Sequence, residues 1–364
     1  MNNDLSSYFE DPEFKEALEK YEGMVKNHTP AYFDADELTD IAEYYASKGR
    51  QIEAEAAIDF ALQLHPNDTD ALIFRARSLA MKGRLDEAYM VMDLIEDRSD
   101  REVRFLKADL LMEEKRMEEA DHVFEELAAY EEGKLETLID IILAYIDANQ
   151  EALAKKWIKH VGETYDLASL SQKNQKFRDL LCDFYITFNN PEAAIPLLQA
   201  TLDCYPYSIN HWNSLGKCYL STNDYEEAHE AIDFALAIDD SNAEALTLKA
   251  FCYQQSGELQ KSCDYYLRLA EQQENKTRAY LALAKTYFEM QDYTSSIYYI
   301  EALLDNKDAL SKYELSELYG DIALCHAALK HIGVGQASIR RSLELNENDP
   351  DCRTILPDGS QSMQ

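Results

Sequence analysis

Cys325, His326 and His331 are the side chains of this sequence whose types suggest chemistry most directly, since thiolates and imidazoles bind zinc. A structural zinc site needs four such ligands, and a Cys next to a His on a helix points to a different face of that helix. The sequence offers no fourth ligand at a suitable spacing. We therefore predict neither a metal site nor a cofactor.

Short motifs of common enzymes are also missing from the sequence. It contains no P-loop, no H-E-x-x-H, no G-x-S-x-G and no EF-hand loop. Gly333-Val334-Gly335 is followed by Gln-Ala-Ser, so the third glycine of a dinucleotide-binding turn is absent. We expect a protein that is not an enzyme.

All seven cysteines lie at or beyond the midpoint of the chain, without a C-x-x-C pair. An odd total without paired spacing argues against a disulfide framework and favours reduced thiols in the cytoplasm. Neither a secretory leader at the start nor an apolar run long enough to span a membrane is found. We expect a cytoplasmic protein.

Acidic residues outnumber basic ones by 69 to 35, which gives a net charge of −34. A charge of this size repels nucleic acid and anionic membranes, whereas it attracts a basic partner. We therefore expect a protein partner and no nucleic acid or membrane. The alternative is that the acidity only keeps a long chain soluble.

The segment AIDFAL at 57–62 recurs letter for letter at 231–236, at the same place in two copies of a longer unit. Nine copies are found, spaced by 34, 32, 34, 40, 34, 34, 34 and 39 residues. A period near 34 residues indicates stacked helix-turn-helix units, so the chain is predicted to be all-α. The copies begin at positions 35, 69, 101, 135, 175, 209, 243, 277 and 316.

Three columns of this alignment predict how the two helices of a unit meet. Positions 8 and 20 are almost uniformly small, for example Ala88 and Ala228 at position 20, whereas position 24 is large. Small residues opposite large ones interlock at a helix contact. Position 15 carries Gly or Asn in six copies, which are the residues that best tolerate the left-handed conformation after a helix.

The sixth copy has the signature spacing of the tetratricopeptide repeat, carried by Trp212, Leu215, Gly216, Tyr219, Ala228 and Ala235. The array from 35 to 346 therefore resembles the tetratricopeptide-repeat superfamily. Within that superfamily it resembles the cytoplasmic arrays of bacteria. The resemblance implies a right-handed α-solenoid of about nine repeats. Residues 1–34 are expected to hold a capping helix from Pro12 to about Lys26, and residues 347–364 a flexible tail. The longer fourth spacing predicts a possible seam at 162–177.

Members of the superfamily usually bind partners in the concave groove of the first helices, at repeat positions 2, 5, 6, 9, 12 and 13. In repeats one to five these positions hold twelve acids and two bases, and repeats six to eight lack this acidic excess. The candidate groove residues are Asp36, Asp40, Glu43, Asp70, Phe74, Arg77, Phe105, Asp109, Asp140, Leu143, Asp179, Asp183, Asn213, Lys217, Phe251, Arg278 and Lys285.

These observations favour a non-catalytic scaffold or adaptor that binds a basic, partly apolar protein segment along repeats one to five. The alternative is a regulatory protein that responds to a peptide or ligand, with the long fourth spacing as its flexible point. Self-association is compatible with both, because the ends of a repeat stack are apolar unless capped.

Overall fold

The structure is a computed structural model that describes residues 8–9, 11–27, 30–305 and 310–345. Within these ranges the chain is helical and contains no β-strand, which confirms the all-α class. It divides into two compact units, Met1–Asp166 (unit one) and Leu167–Gln364 (unit two). The division falls inside 162–177, where the repeat spacing lengthens. The tail predicted at 347–364 lies outside the described residues.

Between Pro12 and Thr164, unit one has one helix followed by four helix pairs, each made of the first and second helix of one repeat. Consecutive helices pack on each other, as in an α-solenoid. The helices are α1 Pro12–Asn27, α2 Ala35–Ser47, α3 Gln51–Leu64, α4 Thr69–Met81, α5 Leu85–Met92, α6 Arg101–Glu113, α7 Met117–Tyr130, α8 Leu135–Asp147 and α9 Glu151–Thr164.

Unit two begins with a short helix, and five pairs then follow in the same arrangement. A 3₁₀ turn, Gln273–Asn275, precedes the fourth pair. The helices are α10 Leu167–Lys173, α11 Gln175–Thr187, α12 Pro191–Cys204, α13 Ile209–Thr222, α14 Tyr225–Ile238, α15 Ala243–Gln255, α16 Leu259–Ala270, α17 Lys276–Glu289, α18 Tyr293–Leu304, α19 Lys312–Ala328 and α20 Ile332–Leu345.

Side-chain caps mark where six of the nine first helices begin. At repeats one to seven the helix starts at the residue where the repeat itself was predicted to start. Asp34 and Glu37 form a capping box before α2, and the Asp68 side chain accepts a hydrogen bond from the Ala71 amide before α4. The last pair differs: a capping box of Ser311 with Glu314 starts α19 at Lys312, four residues before position 316.

The turn between the two helices of a repeat has a left-handed residue at position 15 in all nine copies. Six are the Gly and Asn residues identified in the sequence, with φ from 53° to 79°. In the other three the same conformation is held by Lys115, Gln291 and Lys330, with φ of 63°, 62° and 61°. The helix-turn-helix geometry is therefore uniform where the sequence at this position is not.

The small and large columns meet inside each pair as predicted. Ala88 and Ala228 have no exposed surface, and neither has Ile232 at position 24. A Cβ atom added to Gly216 would lie 2.7 Å from Cγ1 of Ile232, which leaves no room for any side chain at that position. Close approach of the two helices therefore depends on the small residue.

The described cysteines are unpaired, and five of the six are buried. Burial raises the pKa of the Cys218 and Cys252 thiols to about 11, because a thiolate is poorly solvated there. Both thus act as small core residues. No group of three metal-binding side chains occurs among the described residues, and no described helix is long and apolar enough to cross a membrane.

Candidate functional site

Three first helices of unit one, α4, α6 and α8, line a concave pocket of about 390 Å³. Phe105 and Leu143 supply apolar surface, while Glu102, Asp109, Glu113, Asp140 and Asp147 supply five carboxylates. Arg77 and Arg101 are the bases in this lining. Spacings of three and four residues place the members from α6, and those from α8, on one face of their helix. We call these residues the acidic pocket.

The two arginines hold several of the carboxylates in place. Arg77 Nη2 lies 3.5 Å from a Glu102 oxygen, and its Nε lies 3.6 Å from a carboxylate oxygen of Asp109. Arg101 Nη1 donates to Glu102 at 2.8 Å, and its other terminal nitrogen pairs with Asp140 on the next repeat. The guanidinium of Arg101 also lies 5.0 Å from the centroid of the Phe105 ring. These ion pairs therefore fix the positions of the Glu102, Asp109 and Asp140 carboxylates in the pocket.

Burial and crowding of like charge disfavour the ionised carboxylates. Burial raises the pKa of Asp109 to about 6, although Arg77 opposes that shift. Burial likewise raises the pKa of Asp140 and Asp147, in the case of Asp140 against the opposing charge of Arg101. Two arginines do not compensate five acids, so a further cation would be stabilised in the pocket.

The other predicted groove residues of unit one lie on α2 and α4. Asp36 and Asp70 are exposed, and Phe74 packs partly against the core of the first repeat. Partial loss of carboxylate hydration is the chief cause that raises the pKa of Asp40, Glu43 and Asp70. Asp40 also accepts a hydrogen bond from the Tyr8 hydroxyl, so the N-terminal segment already uses this carboxylate.

In unit two the predicted groove residues form smaller polar sets. His211 lies 3.5 Å from Asp179, and Asp183 is exposed. Asn213 is 1% exposed, and its Nδ2 donates to Asn242 at 3.1 Å and to Glu244 at 3.0 Å, while its Oδ1 has no partner. Glu244 also pairs with Lys217.

Further along unit two, Phe251 is 41% exposed, and Arg278 and Lys285 have no ion-pair partner in the described ranges. Lys285 lines a small pocket with Phe288 and Asp321. The structure thus brings Arg77, Phe105, Asp109, Asp140 and Leu143 together in one pocket. It places the remaining predicted residues of unit one beside that pocket or nearer the N-terminus.

Sequence reasoning missed Arg101, which stands at repeat position 1 and so lies outside the six groove positions. Its long side chain reaches Asp140 one repeat later. A basic first residue followed 39 positions on by an acid was the available signal, but this spacing carries no general meaning in a sequence.

A family model described as tetratricopeptide repeat matches residues 39–89 and 213–277, one segment in each unit. This chain thus contains tetratricopeptide repeats in both matched segments. Subunit NrfG of the formate-dependent nitrite reductase complex of Escherichia coli O157:H7 is 26% identical to it over 191 residues, covering 50% of this chain and 89% of NrfG.

One solved structure supports the same fold, and a second is similar to a lesser degree. The C-terminal part of a tetratricopeptide-repeat protein from Cytophaga hutchinsonii has a TM-score of 0.53 at 17% identity, covering 70% of this chain and 99% of that one. A tetratricopeptide-repeat protein from Parabacteroides merdae has a TM-score of 0.44 at 16% identity, covering 69% and 98%. Tetratricopeptide repeats generally mediate protein–protein interaction, and the fold of this chain implies an interaction scaffold in that general sense.

Proposed function

We propose that this tetratricopeptide-repeat protein is a non-catalytic adaptor that binds a basic, partly apolar protein segment in the groove formed by the repeats of unit one. The observation that carries this proposal is the acidic pocket. Five carboxylates and two arginines surround the apolar surface of Phe105 and Leu143 there. A lysine or arginine side chain would complete the charge balance, while a neighbouring apolar side chain would contact Leu143, which is half-buried.

The carboxylates of a concave surface attract a charged partner from a longer distance than a single contact does. Carboxylates that share a low-dielectric wall focus their field into the groove and raise the local concentration of cations. At physiological salt this field decays over about 8 Å, so it steers the partner and holds it at close range. Association of the basic segment should therefore weaken as salt rises.

The cysteines support a cytoplasmic location for this adaptor. Cys182 and Cys263 are buried and unpaired, like Cys218 and Cys252, and burial raises the pKa of both thiols. Thiols of this kind persist where the surroundings keep them reduced. We propose no cofactor for the protein.

A regulatory role is the second candidate, favoured by the division of the chain at Asp166 and Leu167. In that role a bound peptide would change the dimensions of the molecule rather than only link two proteins. A change in the radius of gyration that saturates with peptide, measured by small-angle X-ray scattering, would favour a regulatory role over that of a simple adaptor.

The binding proposal is tested by neutralising four acids of unit one, Glu43→Gln, Asp109→Asn, Asp140→Asn and Asp147→Asn. Neutral replacements are chosen because a lysine at position 109 or 140 would repel Arg77 or Arg101. The probe is a short fluorescent peptide of lysine, leucine and phenylalanine, followed by fluorescence anisotropy. We expect about a tenfold or greater loss of affinity, and weak binding of a matched glutamate peptide to the unmodified protein.

The matched control neutralises Glu96, Glu126, Glu132 and Glu163, which are exposed and lie outside the groove and outside the first turns of helices. It removes the same amount of charge. Equal loss of affinity in both variants would mean that overall charge, not the groove, attracts the peptide. Unchanged affinity in the groove variant would contradict the proposal.

A further inference from the structure

A second pocket lies in unit two, on a face of α13 different from the one that carries Asn213 and Lys217. Its volume is about 470 Å³, and it is lined by α12, α13 and α14. Trp212, Tyr219 and Phe234 contribute aromatic rings, and Asp203, Glu227 and Glu230 contribute carboxylates. We call it the aromatic pocket. Its rings belong to the sixth repeat and to the second copy of the AIDFAL segment.

The rings are held in place before any ligand arrives. Trp212 stacks on Phe234 with ring centroids 4.6 Å apart and planes 18° apart. The indole N–H of Trp212 donates to the Pro206 carbonyl at 2.8 Å, and the Tyr219 hydroxyl accepts from Gln199 at 2.8 Å. Phe234 nevertheless keeps 55% of its surface exposed. A large apolar ring is thus both fixed and open to solvent.

The carboxylates of the aromatic pocket pair with no cation in the part of the chain that the structure describes. Among the residues that the structure describes, none pairs with or hydrogen-bonds to the side chains of Asp203, Glu227 and Glu230, and the pocket lining holds no lysine or arginine. Glu227 and Glu230 are three residues apart on α14, so they share a helix face, while Asp203 belongs to α12. Three negative charges therefore border the exposed ring.

The protein itself shows which group suits such a surface. In the first copy of AIDFAL, the ring centroids of Phe60 and Phe33 are 6.2 Å apart, and Lys20 Nζ lies 4.3 Å from the centroid of the Phe33 ring. In unit two, Arg268 and Lys276 likewise lie over Tyr265 and Tyr280. Within the described ranges no cation lies over Trp212 or Phe234, although indole is the aromatic side chain that attracts cations most strongly.

We propose that the aromatic pocket binds an arginine side chain of a protein partner. A guanidinium is planar, so it can stack on the open face of Phe234 while its N–H groups donate to carboxylates at the rim. It is also more weakly hydrated than an ammonium, which lowers the cost of moving it onto an aromatic surface. This site lies in a different unit from the acidic pocket and does not depend on the groove proposal.

The two tryptophans of the chain provide a direct test with the full-length protein labelled with 5-fluorotryptophan. Trp212 lines the pocket, whereas Trp157 is 3% exposed in unit one and donates to Asp121, so its signal is an internal control. The probe is acetyl-Gly-Arg-Gly-amide, compared with the lysine and glutamine versions. We expect the arginine peptide to shift the Trp212 resonance saturably, with Trp157 unchanged and the other two peptides weaker.

Two variants distinguish specific binding from general attraction. Glu227→Gln with Glu230→Gln should weaken the arginine peptide by about tenfold or more. The matched control, Glu226→Gln with Asp264→Asn, removes two exposed charges outside the pocket and should bind as the unmodified protein does. Phe234→Leu, at an exposed position, should also weaken binding.

The absence of a saturable Trp212 shift would overturn the proposal. So would equal binding of the lysine peptide, equal effects of the two charge variants, or a Trp157 shift of similar size. Helical circular dichroism of each variant verifies that the fold is retained. Loss of binding supports the proposed site only in variants that retain the helical fold.

Discussion

At the scale of residues, Asp109 shows how the acidic pocket combines charge with burial. Its carboxylate lies among Glu102, Asp147 and Arg77, and burial raises its pKa from an ordinary value of 3.8 to about 6. Because the folded pKa is the higher one, this group stabilises the fold most below pH 3.8. That contribution is lost as the pH rises through about 6. A bound cation would act in the opposite direction, because it stabilises the ionised form.

We therefore predict that Asp109 titrates near pH 6 in the folded protein, well above the ordinary value of 3.8 for an aspartate. Carboxyl ¹³C chemical shifts followed against pH would measure this directly. Arg77→Gln should move the midpoint higher, because it removes the nearby positive charge, whereas Arg98→Gln, outside the pocket, should leave it unchanged. A midpoint near 4 would contradict the described burial of this group.

The same titration predicts how binding depends on pH. As the pH falls from 7.5 towards 5.5, Asp109 gains a proton, and the affinity for a basic peptide should decrease. Asp109→Asn should remove much of this dependence, because the group that titrates is gone. Fluorescence anisotropy at several pH values checks the result, and an unchanged pH dependence in the variant would show that other groups control it.

At the scale of elements, the fit of a small residue against a large one fixes how closely the two helices of a repeat approach. Gly216→Ala should destabilise the protein by about 1–3 kcal/mol, since the new Cβ would lie 2.7 Å from Ile232 Cγ1. Gly23→Ala in α1 is the matched control. Its Cβ would contact nothing within 4 Å, so it should stabilise by about 0.5–1 kcal/mol. Thermal unfolding compares the two, and the same sign for both would contradict this packing.

The turn between the two helices makes a separate prediction at this scale. Lys115 has a φ of 63°, which is unfavourable for any residue with a Cβ, so Lys115→Gly should stabilise by about 0.5–1 kcal/mol. Gly83 has a φ of 72°, and Gly83→Ala should destabilise by about 1 kcal/mol. Denaturant midpoints measure both changes. Destabilisation by Lys115→Gly would mean that the lysine is needed for another reason.

The sequence predicted the elements well because each repeat carries the same local signals. The small residue Ala228 and the large residue Ile232 lie at fixed positions of one repeat, so this packing signal can be recognised without tertiary information. The left-handed Lys115, Gln291 and Lys330 could not be recognised, because their neighbours impose a conformation that these residue types do not favour. Their shared alignment position with Gly49 and Asn223 was the one available signal.

The candidate site was less predictable than the elements, since it depends on contacts between repeats. Groove positions taken from the superfamily identified Asp109, Asp140 and Phe105. The partnership of Arg101 with Asp140, and that of Arg77 with Glu102, depend on side-chain reach across a helix contact. The aromatic pocket escaped notice for the same reason, because Trp212 and Phe234 are far apart in the repeat and meet only when the pair of helices packs.

At the scale of the whole molecule, a net charge of −34 attracts any basic protein weakly, so a groove-specific partner must be distinguished from that background. Leu143 offers the most direct way to do so, because it is half-buried and lines the acidic pocket. A photo-crosslinking amino acid at this position captures only what enters the pocket. Ile52, 83% exposed on the second helix α3, serves as the control position.

The decisive measurement is the sequence of the segment that crosslinks from position 143 in an extract of the native host, determined by mass spectrometry. Our account predicts one dominant segment in which lysine and arginine outnumber aspartate and glutamate, with an apolar residue beside them, and no such product from position 52. A neutral or acidic segment from position 143, or the same segment from both positions, would contradict the claim that the acidic groove binds a basic partner.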